Sequence, residues 1–204
     1  PTGNFGDIYA GYLAKKLGLP IDKLIVATNK NDILHRAISG GDYTQRQVEE
    51  TNTPSMDIQI ASNFERLLYD VKDCNSEIIK EVMSKIKSNS FKIDNDDLNK
   101  INKNFTSEML DENETVEMIK QINDKYQIIV DPHTAVGIGA VKKLRLENNC
   151  VVLSTAHPCK FPQAIQDAIS KTEDLPSSLN YINGRNEKFE VLSNDIEKVK
   201  DYVM

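Results

Sequence analysis

The sequence predicts an α/β fold: an open, mostly parallel sheet with flanking helices and a helical insertion. Three observations point there. Apolar residues at helical spacing alternate with short β-branched runs, the pattern of layered α/β architectures. The joints between them carry cap residues and glycine or proline stops. One stretch, about residues 62–124, is largely helical, which marks an excursion from the sheet. The expected division is an α/β domain over 1–170 and a C-terminal tail over 171–204.

Taken in order, Ile8, Tyr9, Tyr12, Leu13 and Leu17 share a helix face, stopped by Gly18 and Pro20. Lys23–Thr28 reads as a buried strand. Asn31 is placed to cap a short helix through Ile33, Leu34 and Ala37, ended by Gly40-Gly41. Residues 42–54 are polar and unpatterned, a loop or mobile segment. Ser62-Asn63-Phe64-Glu65 reads as a capping box before Phe64, Leu67, Leu68 and Val71. Further helices follow on Ile78, Ile79, Val82, Met83 and Ile86, on Leu98, Ile101 and Phe105 after Asp94, and on Val116 and Ile119 after Asp111. The βα rhythm then returns. Gln127–Val130 and Cys150–Ser154 are expected strands, each followed by a helix, on Val136, Ala140, Val141 and Leu144 and on Phe161, Ala164, Ile165, Ala168 and Ile169. The tail offers a strand at Phe189–Leu192 and a closing helix capped by Asn194.

Bulk properties narrow the function. The 204 residues are 39% hydrophobic and 27% charged, a globular composition with material for one sizeable core. The net charge of −6 argues against a nucleic-acid or anionic-membrane partner, since phosphate surfaces select basic faces. No apolar run approaches the roughly 20 residues a bilayer span needs, and no signal peptide is visible. A cytoplasmic protein is expected. Cys74, Cys150 and Cys159 form no CxxC pair, and Cys150 is expected in the core. His35, His133 and His157 lack metal-ligand spacing, so no metal site is assigned.

Three segments could carry chemistry. Gly3-Asn4-Phe5-Gly6-Asp7 opens a helix, whose unpaired N–H groups suit an anionic phosphate that glycines allow to approach closely. An ordinary glycine turn with Asp7 as cap fits the same spacing. Thr155, within Ser154–Phe161, follows a strand-like run, where open α/β sheets bind ligands. It fits a simple turn former as well. Asp131-Pro132-His133-Thr134 also follows an apolar run, and helix capping with a surface histidine is the favoured reading of it taken alone. Gly137-Ile138-Gly139-Ala140 lies within a helix pattern and reads as close helix packing, not a dinucleotide loop. The chain also begins inside the glycine-containing loop, which is expected of a fragment.

In order, PTGNFGDIYAGYLAKKLGLPI, ATNKNDIL, PSMDIQIASNFERLL, DPHTAVG and STAHPCKF resemble the threonine synthases of the longer, bacterial–fungal subgroup. The likeness spans nearly the whole chain, weakest from about 75 to 117 and after 171. It implies part of a fold-type II pyridoxal-phosphate (PLP) enzyme that converts O-phospho-L-homoserine and water into L-threonine and phosphate. Residues 1–170 would then be the C-terminal part of the PLP-binding domain. By the same resemblance Gly3, Asn4, Phe5 and Asp7 hold the cofactor phosphate through backbone N–H groups, Gly6 permits the tight turn, and Thr155 hydrogen-bonds the pyridine nitrogen. Asn29, Asn31, Asp32 and His133 fall in family-like motifs without individual roles.

The family's Schiff-base lysine belongs to a segment upstream of the phosphate loop. No catalytic residue is therefore expected among these 204, and Lys160, although close to Thr155 in sequence, is not that lysine. The missing N-terminal domain is the implied partner, and the chain alone is expected to be inactive. Other fold-type II enzymes, a threonine-synthase-like phospho-lyase and a non-catalytic phosphate-binding module are the competing readings.

Overall fold

A computed structural model describes residues 1–88, 91–146 and 149–204. The chain divides into two compact units, Pro1–Glu173 and Asp174–Met204.

The first unit is α/β. It runs α1 (Gly6–Lys16), β1 (Leu24–Thr28), α2 (Ile33–Gly40), α3 (Phe64–Val71), α4 (Ser76–Lys87), α5 (Asn95–Asn102), β2 (Phe105–Met109), α6 (Glu112–Tyr126), α7 (Pro132–Lys143) and α8 (Pro162–Ile169). The two strands are parallel and in register from Leu24 opposite Phe105 to Thr28 opposite Met109. Parallel strands need a long crossover, and here α2 through α5 supply it. Buried apolar side chains on both faces of the pair follow from that burial. Leu24 and Val26 join a large core with α1 to α5, whereas Ala27 packs with Met56, Leu110, Val136 and Ala140. Asp111 closes a capping box with Glu114 at the head of α6. The Gly41 φ of 73° ends α2 as the glycine pair predicts.

Several expectations are corrected. Phe105 is no helix residue: α5 stops at Asn102, and Phe105 opens β2 with its ring against Phe5 and Tyr12. The helical stretch after residue 62 is thus interrupted by a strand. Among the described residues, Gln127–Val130 and Cys150–Ser154 form no strands, so the sheet is narrower than predicted. Gln127 is instead left-handed and caps α6. Val151 is 92% exposed and Leu153 48%, and an apolar run without a neighbouring strand leaves its backbone unpaired. Cys150 is accordingly exposed, not core.

Two caps are also reassigned. Asn31 does not cap α2: Asp32 holds the cap position, and the Asn31 amide turns to Glu49 and Asp57. At α3 the cap position is Asn63, without a side-chain cap bond, so the Ser62–Glu65 box does not form. Residues 42–54 are irregular yet held. The buried Arg36 guanidinium bonds Asp32, Asp42 and the Thr44 carbonyl at 2.9, 2.6 and 2.8 Å.

The second unit holds a 3-10 turn at Ser177–Ile182 and α9 (Ile196–Val203). The α9 cap is the Asp195 side chain, not Asn194, and Phe189–Leu192 forms no strand; Phe189 and Val191 are exposed.

Candidate functional site

The entry to α1 is built by four anchors. Thr2 N–H donates to the Ala27 carbonyl at 3.0 Å, tying the loop to the C-terminal end of β1. Gly3 presses so closely on the Pro54–Met56 turn that an added Cβ would lie 2.3 Å from the Ser55 oxygen. The Asn4 side-chain oxygen accepts from Ser62 N at 2.5 Å and Ser62 Oγ at 2.9 Å, and its main-chain oxygen accepts from Asn63 N and Nδ2. Asn4 thus ties the loop to Ser62 and Asn63, the two residues that lead into α3. Phe5, fully buried, is left-handed at φ 66° and turns the chain into α1.

Phe5, not Gly6, takes the strained conformation of this turn, which corrects the expected role of Gly6. A side chain in the left-handed region is unfavourable. The Phe5 ring offsets that cost by packing edge-on against Phe64 at 5.1 Å and near Phe105 at 5.7 Å. Asp7 lies inside the first turn, with Oδ1 accepting from Ile8 N at 2.8 Å; it is not the cap. The first N–H groups of α1 have no carbonyl partner within the helix and carry the positive end of the helix dipole, an arrangement that suits an anion.

The second half is built around α7. Asp131 is its buried cap, accepting from His133 N at 2.9 Å and Thr134 N at 3.3 Å. The Thr134 hydroxyl donates to the other Asp131 oxygen. His133 is no surface residue. It is 4% exposed, packs with its ring tilted against Phe161 at 4.7 Å, and accepts from Ser55 N at Nε2 over 3.3 Å. With Nε2 accepting, the ring proton is on Nδ1, which donates to Asp131 at 3.2 Å. Burial acts to raise the Asp131 pKa, but the bonds from His133 and Thr134 outweigh it and hold the carboxyl below its ordinary value.

Thr155 is exposed and sits in an irregular segment, with its N–H donating to Thr134 Oγ1 at 3.3 Å. Gly137 on α7 shows how the two halves meet: an added Cβ there would lie 2.9 Å from both Pro1 Cδ and Val152 Cγ1. The segment that leads into Gly3 and the segment that leads into Thr155 thus share one face of α7. Gly139 likewise admits Leu110 at the helix surface, so both glycines serve close packing as expected.

A third layer lies beneath, beyond the end of β1. Asn29, fully buried, donates through Nδ2 to Asp57 Oδ1 at 2.8 Å and lies 2.9 Å from the hydroxyls of Thr51 and Thr53. Its oxygen accepts from Asn31 N at 2.8 Å. The network fastens residues 49–57, and hence Ser55, to the sheet. Asp32 pairs with Arg36 instead, away from this cluster. Lys160 is exposed beside the Phe161 ring. Reading the chain as a sequence overlooked Ser55, which no local motif marks, and treated Asp131 and Thr134 only as a cap.

Fold and site together define an α/β chain of the fold-type II class, in which the segments leading into the helix-entry loop and into Thr155 both pack on α7. The family described as "Threonine synthase, C-terminal" matches residues 134–203. A threonine synthase of Pseudomonas aeruginosa is 42% identical over 207 residues, covering 100% of this chain and 44% of that protein. The structure is similar to that of PLP-bound threonine synthase from Brucella melitensis, with a TM-score of 0.89, 42% identity and coverage of 100% of this chain and 44% of that one. Threonine synthase from yeast matches with a TM-score of 0.86, 39% identity and coverage of 100% and 45%. The chain is similar to threonine synthases over its whole length, and it spans less than half the length of these relatives.

Proposed function

We propose that this chain is the C-terminal part of a threonine synthase, a PLP enzyme that converts O-phospho-L-homoserine and water into L-threonine and phosphate. The observation that carries the reading is that Pro1, which leads into the Gly3–Asp7 loop, and Val152, which leads into the Thr155 segment, both pack on one face of α7 at Gly137. The residues fit the cofactor. At Gly3 the backbone has no room for a side chain, and the adjoining helix N-terminus offers donors to a phosphate. In this reading the N–H groups of Gly3, Asn4, Phe5 and Asp7 grip the phosphate, while the exposed Thr155 hydroxyl faces the pyridine nitrogen.

PLP, when bound, supplies an electron sink for the substrate carbons. Thr155 would donate a hydrogen bond to an unprotonated ring nitrogen, whereas a carboxylate would favour the protonated pyridinium; the sink is thereby kept moderate. The lysine that anchors the cofactor and the domain that covers it belong to the remaining length of the relatives. A cytoplasmic location goes with this reading; in the structure, no helix of the described residues is long and apolar enough to cross a membrane.

The test is to supply the intact gene product carrying this sequence with PLP and O-phospho-L-homoserine. Threonine and phosphate in equal amounts support the reading. Phosphate with 2-oxobutyrate would make it a phospho-lyase, and turnover of threonine alone would make it a dehydratase.

A further inference from the structure

We propose that Asp131 is a positioning residue that aligns both halves of the cofactor site at once, a role that rests on the reading above. A helix cap needs only to accept from the first free N–H groups, and Asp131 does so with His133 N and Thr134 N. Its other two bonds go to side chains, and each leads to one half of the site.

The first route runs through His133. The Asp131 carboxylate accepts from His133 Nδ1, which keeps Nε2 unprotonated and able to accept from Ser55 N. Ser55 is the residue whose carbonyl oxygen lies against Gly3. The carboxylate thus sets the tautomer that seats the turn on which the phosphate loop rests. The second route runs through Thr134. A hydroxyl has one proton, and Thr134 gives it to Asp131, which leaves Oγ1 lone pairs free to accept from Thr155 N. That bond fixes the backbone from which the Thr155 hydroxyl reaches out.

An amide at 131 would keep the cap, since asparagine is as good a cap as aspartate. It has one oxygen, so it cannot accept from both the His133 ring and the Thr134 hydroxyl while also capping. One of the two routes must then turn its donor elsewhere. Cap and positioning are separable by this single substitution.

The experiment uses the intact gene product with two probes: PLP, which needs both halves, and inorganic phosphate, which needs only the loop. In Thr134→Val, which keeps the shape and loses the acceptor, PLP affinity falls about tenfold while phosphate affinity stays within about twofold. Thr134→Ser restores PLP binding. His133→Phe, which keeps a ring against Phe161 and loses both nitrogens, lowers affinity for both probes. Asp131→Asn weakens PLP binding about tenfold or more without lowering the melting temperature beyond the other variants. Wild-type affinity for both probes in Asp131→Asn would overturn the positioning role and leave the cofactor reading standing. Equal loss of both probes in Thr134→Val would also overturn it. If the wild-type protein binds neither probe, the cofactor reading falls and this role falls with it.

Discussion

The carbonyl oxygen of Ser55 lies 2.3 Å from the position that a β-carbon on Gly3 would occupy. Two segments far apart in sequence are therefore in contact through backbone alone, with no flexible side chain to yield. The contact places the helix-entry loop on a turn held from beneath by Asn29 and from the side by His133.

Gly3→Ala follows directly. The added methyl cannot be relieved by a rotamer change, so the loop or the 54–56 turn must shift. We expect a stability loss of about 1–3 kcal/mol by urea unfolding, the usual range for overpacking. Binding of PLP should weaken in the same variant, because the loop that moves is the one proposed to hold the phosphate.

Phe5→Ala separates the turn from its anchor. The residue stays left-handed and unfavourable, while the ring that compensates by packing on Phe64 and Phe105 is gone. A loss of about 3–5 kcal/mol is expected for an aromatic this deeply buried. Phe5→Gly should lose less than Phe5→Ala, since glycine accepts the φ of 66° without cost. Chemical denaturation of the two variants side by side checks the order.

Acid stability should depend on Asp42. Burial acts to raise its pKa, but bonds from Thr44 and Arg36 prevail and draw it from 3.8 to about 2. A depressed carboxyl contributes stability that is complete above its unfolded value and fades as pH falls toward the folded one. The contribution is thus full above about pH 5 and lost progressively from there to pH 2. Asp42→Asn should be less stable than wild type at neutral pH, with the difference shrinking in that acidic window. Melting curves at several pH values test the sign.

Most of the helical framework is legible in the residues themselves. Apolar spacing marks α1, α3, α4 and α8, and Asp94, Asp111 and Asp131 announce the helices they cap. The strands are legible only in part. Lys23–Thr28 is apolar and β-branched, and it does form β1, whereas Phe105 continues the helical spacing of Leu98 and Ile101 and still begins β2. Strand formation there depends on Leu24 lying opposite, which no local window contains. The reverse error has the same cause: Cys150–Ser154 has strand-like residues and no strand beside it.

The site divides similarly. The glycine-containing loop and the Asp131-Pro132-His133-Thr134 run stand out by residue type. Their tertiary partners do not. Asn4 accepting from Ser62, Ser55 meeting His133, and Thr134 receiving Thr155 N–H are contacts between distant segments. The burial of His133 depends on Phe161 and could not be read from its neighbours.

A crystal structure of the intact gene product grown with PLP tests the central claim most directly. The account predicts the phosphate within about 2.7–3.2 Å of main-chain nitrogens in Gly3–Asp7, and the Thr155 hydroxyl at a similar distance from the ring nitrogen of the same molecule. Density for PLP away from either group, or a ring nitrogen met by a carboxylate instead of Thr155, would contradict it.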